Sequence, residues 1–161
     1  MNHKIEDDYA ERIWEGELTP SDTSISSNTA LVSRIWNEIW NQGDLEASEA
    51  VFSREYVGHL PMMQVHGPQE FMQLVRIYRQ AYPDVHVSVE DVFGERDRIV
   101  VRWTSRGTHL GEMMGIPPSG HTIEVMGISI FRIEAGKVVE EWEGFDTLGM
   151  MQQIGAIPAS S

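Results

Sequence analysis

The chain has 161 residues, and its 12 Lys and Arg against 25 Asp and Glu give a formal net charge of −13. This length favours one domain, and a hydrophobic fraction of 41% is enough to build a core. The negative charge argues against partners such as nucleic acids or anionic membranes, because both bind clustered Lys and Arg. The absence of Cys excludes disulfides, thiolate metal sites and Cys nucleophiles.

The N-terminal region is unusually acidic. Residues 1–27 are rich in Asp and Glu, and the polar run over residues 19–28 is typical of a linker. We therefore expect an acidic arm or linker over 1–27 and one folded domain over 28–161. The N-terminus lacks the apolar stretch of a secretory signal, and no apolar run has the roughly 18 residues of a spanning helix. A cytoplasmic location is the resulting expectation.

Apolar residues recur at helical spacing in the first half of the predicted domain. This spacing predicts a helix over 29–40 that ends with Gly43 in a left-handed C-cap. A short helix over 45–52 and a short strand over 55–60 follow. The next helix begins near Pro68, and we expect its apolar face to consist of Phe71, Leu74, Val75, Tyr78 and Tyr82.

The apolar period changes from about 3.6 to 2 after Asp84. Alternating segments predict strands over 86–93, 99–109, 121–133 and 137–145, followed by a short helix over 147–154. Helices first and long strands last predict an α+β fold, in which the N-terminal helices pack on one face of a curved antiparallel β-sheet. A curved sheet closed by helices leaves a concave, central pocket for a small ligand.

The last strand contains the first candidate site, Glu141-Trp-Glu-Gly-Phe-Asp146. Strand alternation puts Glu141 and Glu143 on one face and Trp142 on the other, with Asp146 at the strand end. A carboxylate in an apolar pocket has a raised pKa and can act as a general acid or base near neutral pH. The alternative is an edge strand whose acidic side chains face solvent.

A second candidate is His59, which lies just before Pro61 on the short strand. This His can serve as an acid/base or as a hydrogen-bond donor to a substrate carbonyl, and the alternative is a structural or exposed His. No pair or cluster of His and carboxylates has convincing metal spacing, and no phosphate loop, dinucleotide motif or Gly-x-Ser-x-Gly elbow is present. The sequence therefore predicts neither a metal nor a cofactor.

The strand over 99–109 has two chemically different faces. Arg102 and Arg106 share one face, and the opposite face carries Trp103, Ser105 and His109. One of these faces should line the pocket, and the alternation alone does not say which.

Several motifs in a fixed order are specific as a set. They are Trp40-Asn-Gln-Gly-Asp44, Tyr82-Pro-Asp84, Gly107-Thr-His-Leu-Gly-Glu112, Gly115-Ile-Pro-Pro-Ser-Gly120, Gly127-Ile-Ser-Ile-Phe-Arg-Ile133, Gly136-Lys-Val-Val-Glu140, Trp142 with Asp146, and Gly149-Met-Met-Gln-Gln-Ile-Gly155. Together they resemble the SnoaL-like polyketide cyclase family, whose members are often labelled predicted ester cyclases, over about residues 29–157. The resemblance implies the α+β cone shared with ketosteroid isomerase and nuclear transport factor 2, usually as a homodimer or higher oligomer.

The resemblance also implies a reaction. In characterised cyclases of this family, a cofactor-free intramolecular aldol condensation closes a ring of an aromatic polyketide ester, and an acidic residue on the last strand moves the proton. Matching the motifs places this residue at Glu143, and the family also has an acid at the position of Asp146. A pocket His of the family falls at Ser129, and a pocket Asn falls near Gly58, where the adjacent His59 is a candidate substitute.

The residues and the resemblance together predict a cofactor-independent cyclase or isomerase for an apolar or aromatic small molecule, assembled as a homodimer or homotetramer. Two alternatives stay open: a non-catalytic binding domain for an apolar metabolite, and a hydrolase for an epoxide or ester. The expected catalytic residues are Glu143, Asp146 and His59, and the expected substrate-binding residues are Trp40, Tyr56, Trp103, His109 and Ser129.

Overall fold

The computed structural model describes residues 20–158. Helix α1 (Pro20–Arg34) continues directly into a π-helix (Ile35–Gln42). Gly43 ends the π-helix with φ of 75°, so the predicted left-handed C-cap is confirmed. π-Helical turns are rare and occur often at functional sites, and this one supplies two tryptophans to the cavity described below.

The first helix begins earlier than its apolar spacing indicated. It starts at Pro20, where a missing N–H costs no helical hydrogen bond, so the predicted linker over 19–28 is wrong from Pro20 onward. Ile25 packs against the core and anchors this polar stretch. Residues 1–19 of the predicted arm lie outside the described residues, and the division of the chain at residue 27 stays a prediction.

Apart from one additional short strand, β2, the remaining elements follow the predicted order of helices and strands. They are α2 (Ala47–Val51), β1 (Phe52–Leu60), β2 (Met63–His66), α3 (Gly67–Ala81), β3 (His86–Glu95), β4 (Arg98–Thr108), β5 (Thr122–Glu134), β6 (Lys137–Phe145) and α4 (Thr147–Gln153). Strand β2 was not predicted because only Val65 of its four residues is buried, which leaves no alternation to read.

One sheet contains all six strands, in the order β2-β1-β6-β5-β4-β3. The expected α+β fold is confirmed, with one correction to the sheet. Strands β1 and β6 pair in parallel, whereas all other neighbours are antiparallel. The parallel pair sets Gly58 beside Glu141 and His59 beside Trp142, so it decides which β1 residues share a face with the acidic motif.

The helices cover the concave face of the sheet and form two buried clusters with it. The larger cluster joins α1, the π-helix and α3 to β1, β4, β5 and β6 through residues such as Ile39, Val75, Val101 and Phe131. The smaller cluster surrounds Tyr82 near the end of α3. No helix within residues 20–158 is long and apolar enough to cross a membrane.

Candidate functional site

A cavity of about 440 Å³ lies between the concave face of the sheet, the π-helix and α3. Its wall is largely apolar and aromatic, and both buried clusters contribute to it. Glu141 and Glu143 enter this wall from β6. A concave, mostly apolar pocket with a few polar groups is the usual form of a small-molecule site.

Strand alternation on β6 has the predicted result. Glu141 and Glu143 face the cavity, and Trp142 lies on the opposite face, against the ring of His59 and the guanidinium of Arg98. Of the carboxylates expected to be catalytic, Glu143 therefore faces the cavity, and its inward neighbour Glu141 had been given no catalytic role.

The structure also decides which face of β4 lines the pocket. Trp103 and Ser105 line the cavity. Arg102 and Arg106 form ion pairs on the other face of the sheet, with Asp91 and Glu124.

Glu141 is held at the base of the cavity by Tyr56. Its side chain is only 2% exposed, and the hydroxyl of Tyr56 donates a hydrogen bond of 2.6 Å to Oε2 of Glu141. Gly58 makes this contact possible, because a Cβ at position 58 would lie 2.4 Å from the Tyr56 hydroxyl. Burial raises the pKa of Glu141 to about 7, against the lowering effect of the Tyr56 hydrogen bond.

Glu143 is held by a chain of hydrogen bonds through β5 and β4. Nε1 of Trp103 donates to Oγ of Ser129 at 3.1 Å, and this hydroxyl donates to Oε2 of Glu143 at 3.2 Å. Gly127 leaves space for the indole of Trp103, because a Cβ there would lie 2.3 Å from the ring. Burial, followed by the charge of Glu141, raises the pKa of Glu143 to about 8.

These two carboxyl groups can exchange a proton with a bound molecule near neutral pH. An ordinary Glu is ionised at pH 7 and is a weak base, whereas a carboxylate with a pKa near the working pH is an effective general base. The ordered partners Tyr56 and Ser129 hold both groups in defined positions.

Three donors around the cavity were assigned no site role from the sequence. Tyr78 and Tyr82 were expected only as part of an apolar helix face, but both line the cavity, as does Trp36. Burial, followed by the charge of Glu143, raises the pKa of Tyr78 to about 12, so its hydroxyl keeps its proton. Among the described residues, Nε1 of Trp36 and the hydroxyl of Tyr82 are buried without a hydrogen-bond partner. Helical spacing revealed the face but not the polar atoms that it presents.

The expected pocket position of His59 is corrected by the structure. Nε2 of His59 lies 3.0 Å from Oε1 of Glu140, Nδ1 lies 3.1 Å from the side-chain amide of Gln64, and the ring stacks on Trp142. The parallel pairing of β1 with β6 turns His59 to the outer face and Gly58 inward. The structure therefore does not bring His59 together with Glu143.

The expected pocket position of Asp146 is corrected as well. Asp146 is exposed just after β6 and caps α4, where its Oδ1 accepts a 2.8 Å hydrogen bond from the backbone N–H of Gly149. It is not part of the cavity wall. A short polar side chain before a helix is the usual N-cap, and this requirement accounts for an acid at this position.

The five expected substrate-binding residues divide into three groups. Trp40 and Trp103 line the cavity. Tyr56 and Ser129 lie behind the carboxylates and hold them. His109 is buried outside the cavity wall, where its Nδ1 accepts a 3.2 Å hydrogen bond from the backbone N–H of Ser119.

Within residues 20–158, no group of three or more His, Cys, Asp or Glu is arranged to hold a metal ion.

The sequence of this chain was compared with models of known protein families, and one family matches most of the chain. The model of the SnoaL-like polyketide cyclase family matches residues 30–154. The chain belongs to this family. The family assignment made from the ordered motifs is thus confirmed, and the family binds small-molecule substrates. A comparison with curated protein sequences found no match.

Solved structures of the same fold come from several bacteria. A proposed SnoaL-like polyketide cyclase from Jannaschia sp. CCS1 is 25% identical, with a TM-score of 0.78 over 88% of this chain and 99% of that chain. AclR, a proposed hydroxylase from Streptomyces galilaeus, is 26% identical, with a TM-score of 0.75 over 85% and 86%. IdmH, a proposed polyketide cyclase from Streptomyces antibioticus, is 26% identical, with a TM-score of 0.70 over 80% and 98%.

Proposed function

We propose that this protein is a cofactor-independent cyclase or isomerase in which Glu143 is the general acid/base. The observation that carries this proposal is a pair of carboxyl groups with raised pKa in an apolar cavity. A carbon between a ketone and an ester holds a weakly acidic proton. A base with a pKa near 8 suits its removal at neutral pH better than an ordinary Glu does.

The reaction proposed is an intramolecular aldol step. The Glu143 carboxylate removes the proton from the carbon between the two carbonyl groups. The resulting enolate attacks a third carbonyl group, elsewhere in the same molecule, and a carbon–carbon bond closes the ring. The carbonyl oxygen that becomes an alkoxide takes the proton back from Glu143, so no atom is lost and the carboxylate is restored.

Donors around the cavity suit the negative charge that develops on the enolate oxygen. The pKa of Tyr78 is raised to about 12, by burial and then by the charge of Glu143, so its hydroxyl keeps its proton at neutral pH. Trp36 offers a buried N–H that no described protein group accepts. Preorganised donors in a dry site stabilise such charge more than water does. We assign this role to Tyr78 and Trp36 in place of His59, which lies on the outer face of the sheet.

The experiment uses an aryl 3-oxo ester that carries a further ketone placed for ring closure. Exchange of the α-proton for deuterium, followed by NMR, measures proton removal, and chromatography measures the ring product. We expect Glu143→Gln to slow exchange by at least about 100-fold, because a positioned base contributes about 10²–10⁴-fold. Glu140→Gln is the matched control on the outer face and should stay within about twofold of the wild type.

The other outcomes separate the competing functions. Full exchange activity in Glu143→Gln would show that this carboxylate is not the base. Binding of the ester with no exchange at any pH would identify a binding domain. Incorporation of ¹⁸O from labelled water into the product would identify a hydrolase.

A further inference from the structure

Apolar side chains that are half-exposed to solvent form the rim of the cavity. Met62 is 55% exposed and Met63 51%, and both line the cavity just after the end of β1. Met114 in the β4–β5 loop is 54% exposed and Ile77 of α3 is 48% exposed, and both line the same cavity. Apolar surface left in water at the entrance of a pocket is favourably covered by an apolar group.

The backbone at Met114 is in a conformation that methionine rarely adopts. Met114 and Gly115 have φ of 53° and 79°, and they form a two-residue turn. Met113 and Ile116 close this turn with reciprocal backbone hydrogen bonds of 3.0 and 2.9 Å. Turns with positive φ at both central residues favour Asn-Gly. The long side chain of Met114 is therefore held at the rim against the preference of its own backbone.

The chain contains a second turn of the same kind, away from the cavity. Ala135 and Gly136 have φ of 48° and 72° in the hairpin between β5 and β6, and neither lines the cavity. This turn carries a small side chain where the rim turn carries a long one. Residues in an unfavourable backbone conformation occur often at functional sites, so the conformation of Met114 supports a functional role for its side chain.

We propose that Met114, with Met62 and Met63, binds the part of the substrate that extends beyond the cavity, and that this part is an apolar aryl or alkyl group. The carboxylates lie within the cavity, with Glu141 only 2% exposed, whereas these methionines are half-exposed at the rim. A bound molecule therefore places its reacting carbonyl carbons inward and its remote apolar group among the methionines. Flexible thioether side chains adapt to such groups. This inference rests on the proposed function in one respect, which is the assignment of the inward end of the substrate as the reacting end.

The test measures binding separately from chemistry. The probes are the methyl and 2-naphthyl esters of 2,2-dimethyl-3-oxobutanoic acid, which have no proton on the carbon between the ketone and the ester, where Glu143 is proposed to act. Calorimetric titration gives the Kd of both probes for the wild type and for three variants. Met114→Asn removes the apolar side chain and suits the turn, Met114→Leu keeps an apolar side chain, and Ala135→Asn makes the same improvement in the control turn.

We expect the wild type to bind the naphthyl ester more tightly than the methyl ester. Met114→Asn should weaken naphthyl ester binding by about tenfold, as expected for loss of part of one buried apolar side chain, and should leave methyl ester binding within about twofold. Met114→Leu and Ala135→Asn should stay within about threefold of the wild type for both probes. Both Asn variants should raise Tm, by about 2 °C, because Asn suits the turn.

Three results would overturn the inference. They are similar binding of both probes by the wild type, an equal effect of Met114→Asn on both probes, and a matching loss of affinity in Ala135→Asn. None of these results depends on catalysis, so a failure of the proposed chemistry is recognised separately, by the absence of α-proton exchange.

Discussion

Strand β6 places neighbouring carboxylates in opposite environments on its two faces. On the outer face, hydrogen bonds from His59 and then Arg132 lower the pKa of the partly exposed Glu140. On the inner face, burial raises the pKa of Glu141 and of Glu143. Residues of one chemical type, adjacent in the chain, thus acquire opposite pKa shifts because the pleat turns alternate side chains to opposite faces.

The difference between the faces lies in their cations. The outer face surrounds Glu140 with positive or protonatable groups. Among the described residues that line the cavity, there is no Lys, Arg or His to balance Glu141 and Glu143. The inner pair therefore retains protons up to neutral pH, which makes it suited to proton transfer, whereas Glu140 is ionised and structural.

The largest expected effect is on the pH dependence of stability. The folded pKa of Glu141, about 7, is above its ordinary value of 4.5. Its contribution to stability is therefore fully present below pH about 4.5 and is lost as the pH rises through 7. This loss is absent in Glu141→Gln, so the free energy of unfolding of the wild type should fall by about 3 kcal/mol relative to the variant between pH 5 and 9.

Glu140→Gln provides the control of opposite sign. The pKa of Glu140 is lowered, so its contribution is present above pH about 4.5 and is lost as the pH falls. This contribution should be below about 1 kcal/mol, since the group is partly exposed. Urea unfolding of the three proteins at several pH values measures both effects, and equal pH slopes for the two variants would contradict the contrast between the faces.

Alternation was sufficient to place the inner carboxylates together, because the pleat is a local property of a strand. Glu141, Glu143 and Trp142 were assigned to their faces correctly from spacing alone. The orientation of His59 depended on the pairing of β1 with β6, which joins segments far apart in the chain. Local pattern carries no information on such a long-range register.

Tertiary contacts also explain the parts of the helices and the site that were missed. The polar start of α1 is helical although its own residues show no amphipathic period, and Ile25 anchors it to the core. Tyr56 was expected to bind substrate, but its hydroxyl is occupied by Glu141. The sequence predicts which side chains are candidates, whereas hydrogen-bond partners depend on packing across the sheet.

The next expected effect is on the pH dependence of the reaction. Proton removal needs ionised Glu143, so kcat/KM for α-proton exchange should rise as the pH approaches about 8. The charge of Glu141 helps to raise the pKa of Glu143, and a neutral Gln at position 141 removes this repulsion. The midpoint of the rise should therefore move to lower pH in Glu141→Gln, by about one unit, which changes the ionised fraction at pH 6 about tenfold.

Rates measured from pH 5 to 10 in the wild type and Glu141→Gln test this coupling. Glu140→Gln, which alters a carboxylate on the outer face, should leave the midpoint unchanged. A midpoint that stays in place in Glu141→Gln would mean that the two inner carboxylates titrate independently.

The smallest expected effect concerns Asp146, the acid that follows the strand and belongs to neither face. Its side chain accepts the Gly149 N–H at the start of α4, so its expected contribution is structural. Asp146→Ala should cost about 1 kcal/mol of stability, or about 2–4 °C in Tm, whereas Asp146→Asn keeps an N-cap acceptor and should cost much less. Both variants should exchange the α-proton at rates within about twofold of the wild type. Asn preserves the cap but cannot act as a base. A large loss of exchange in a stable Asp146→Asn variant would therefore assign Asp146 to the chemistry. It would contradict the view that the buried carboxylates transfer the proton and Asp146 only caps α4.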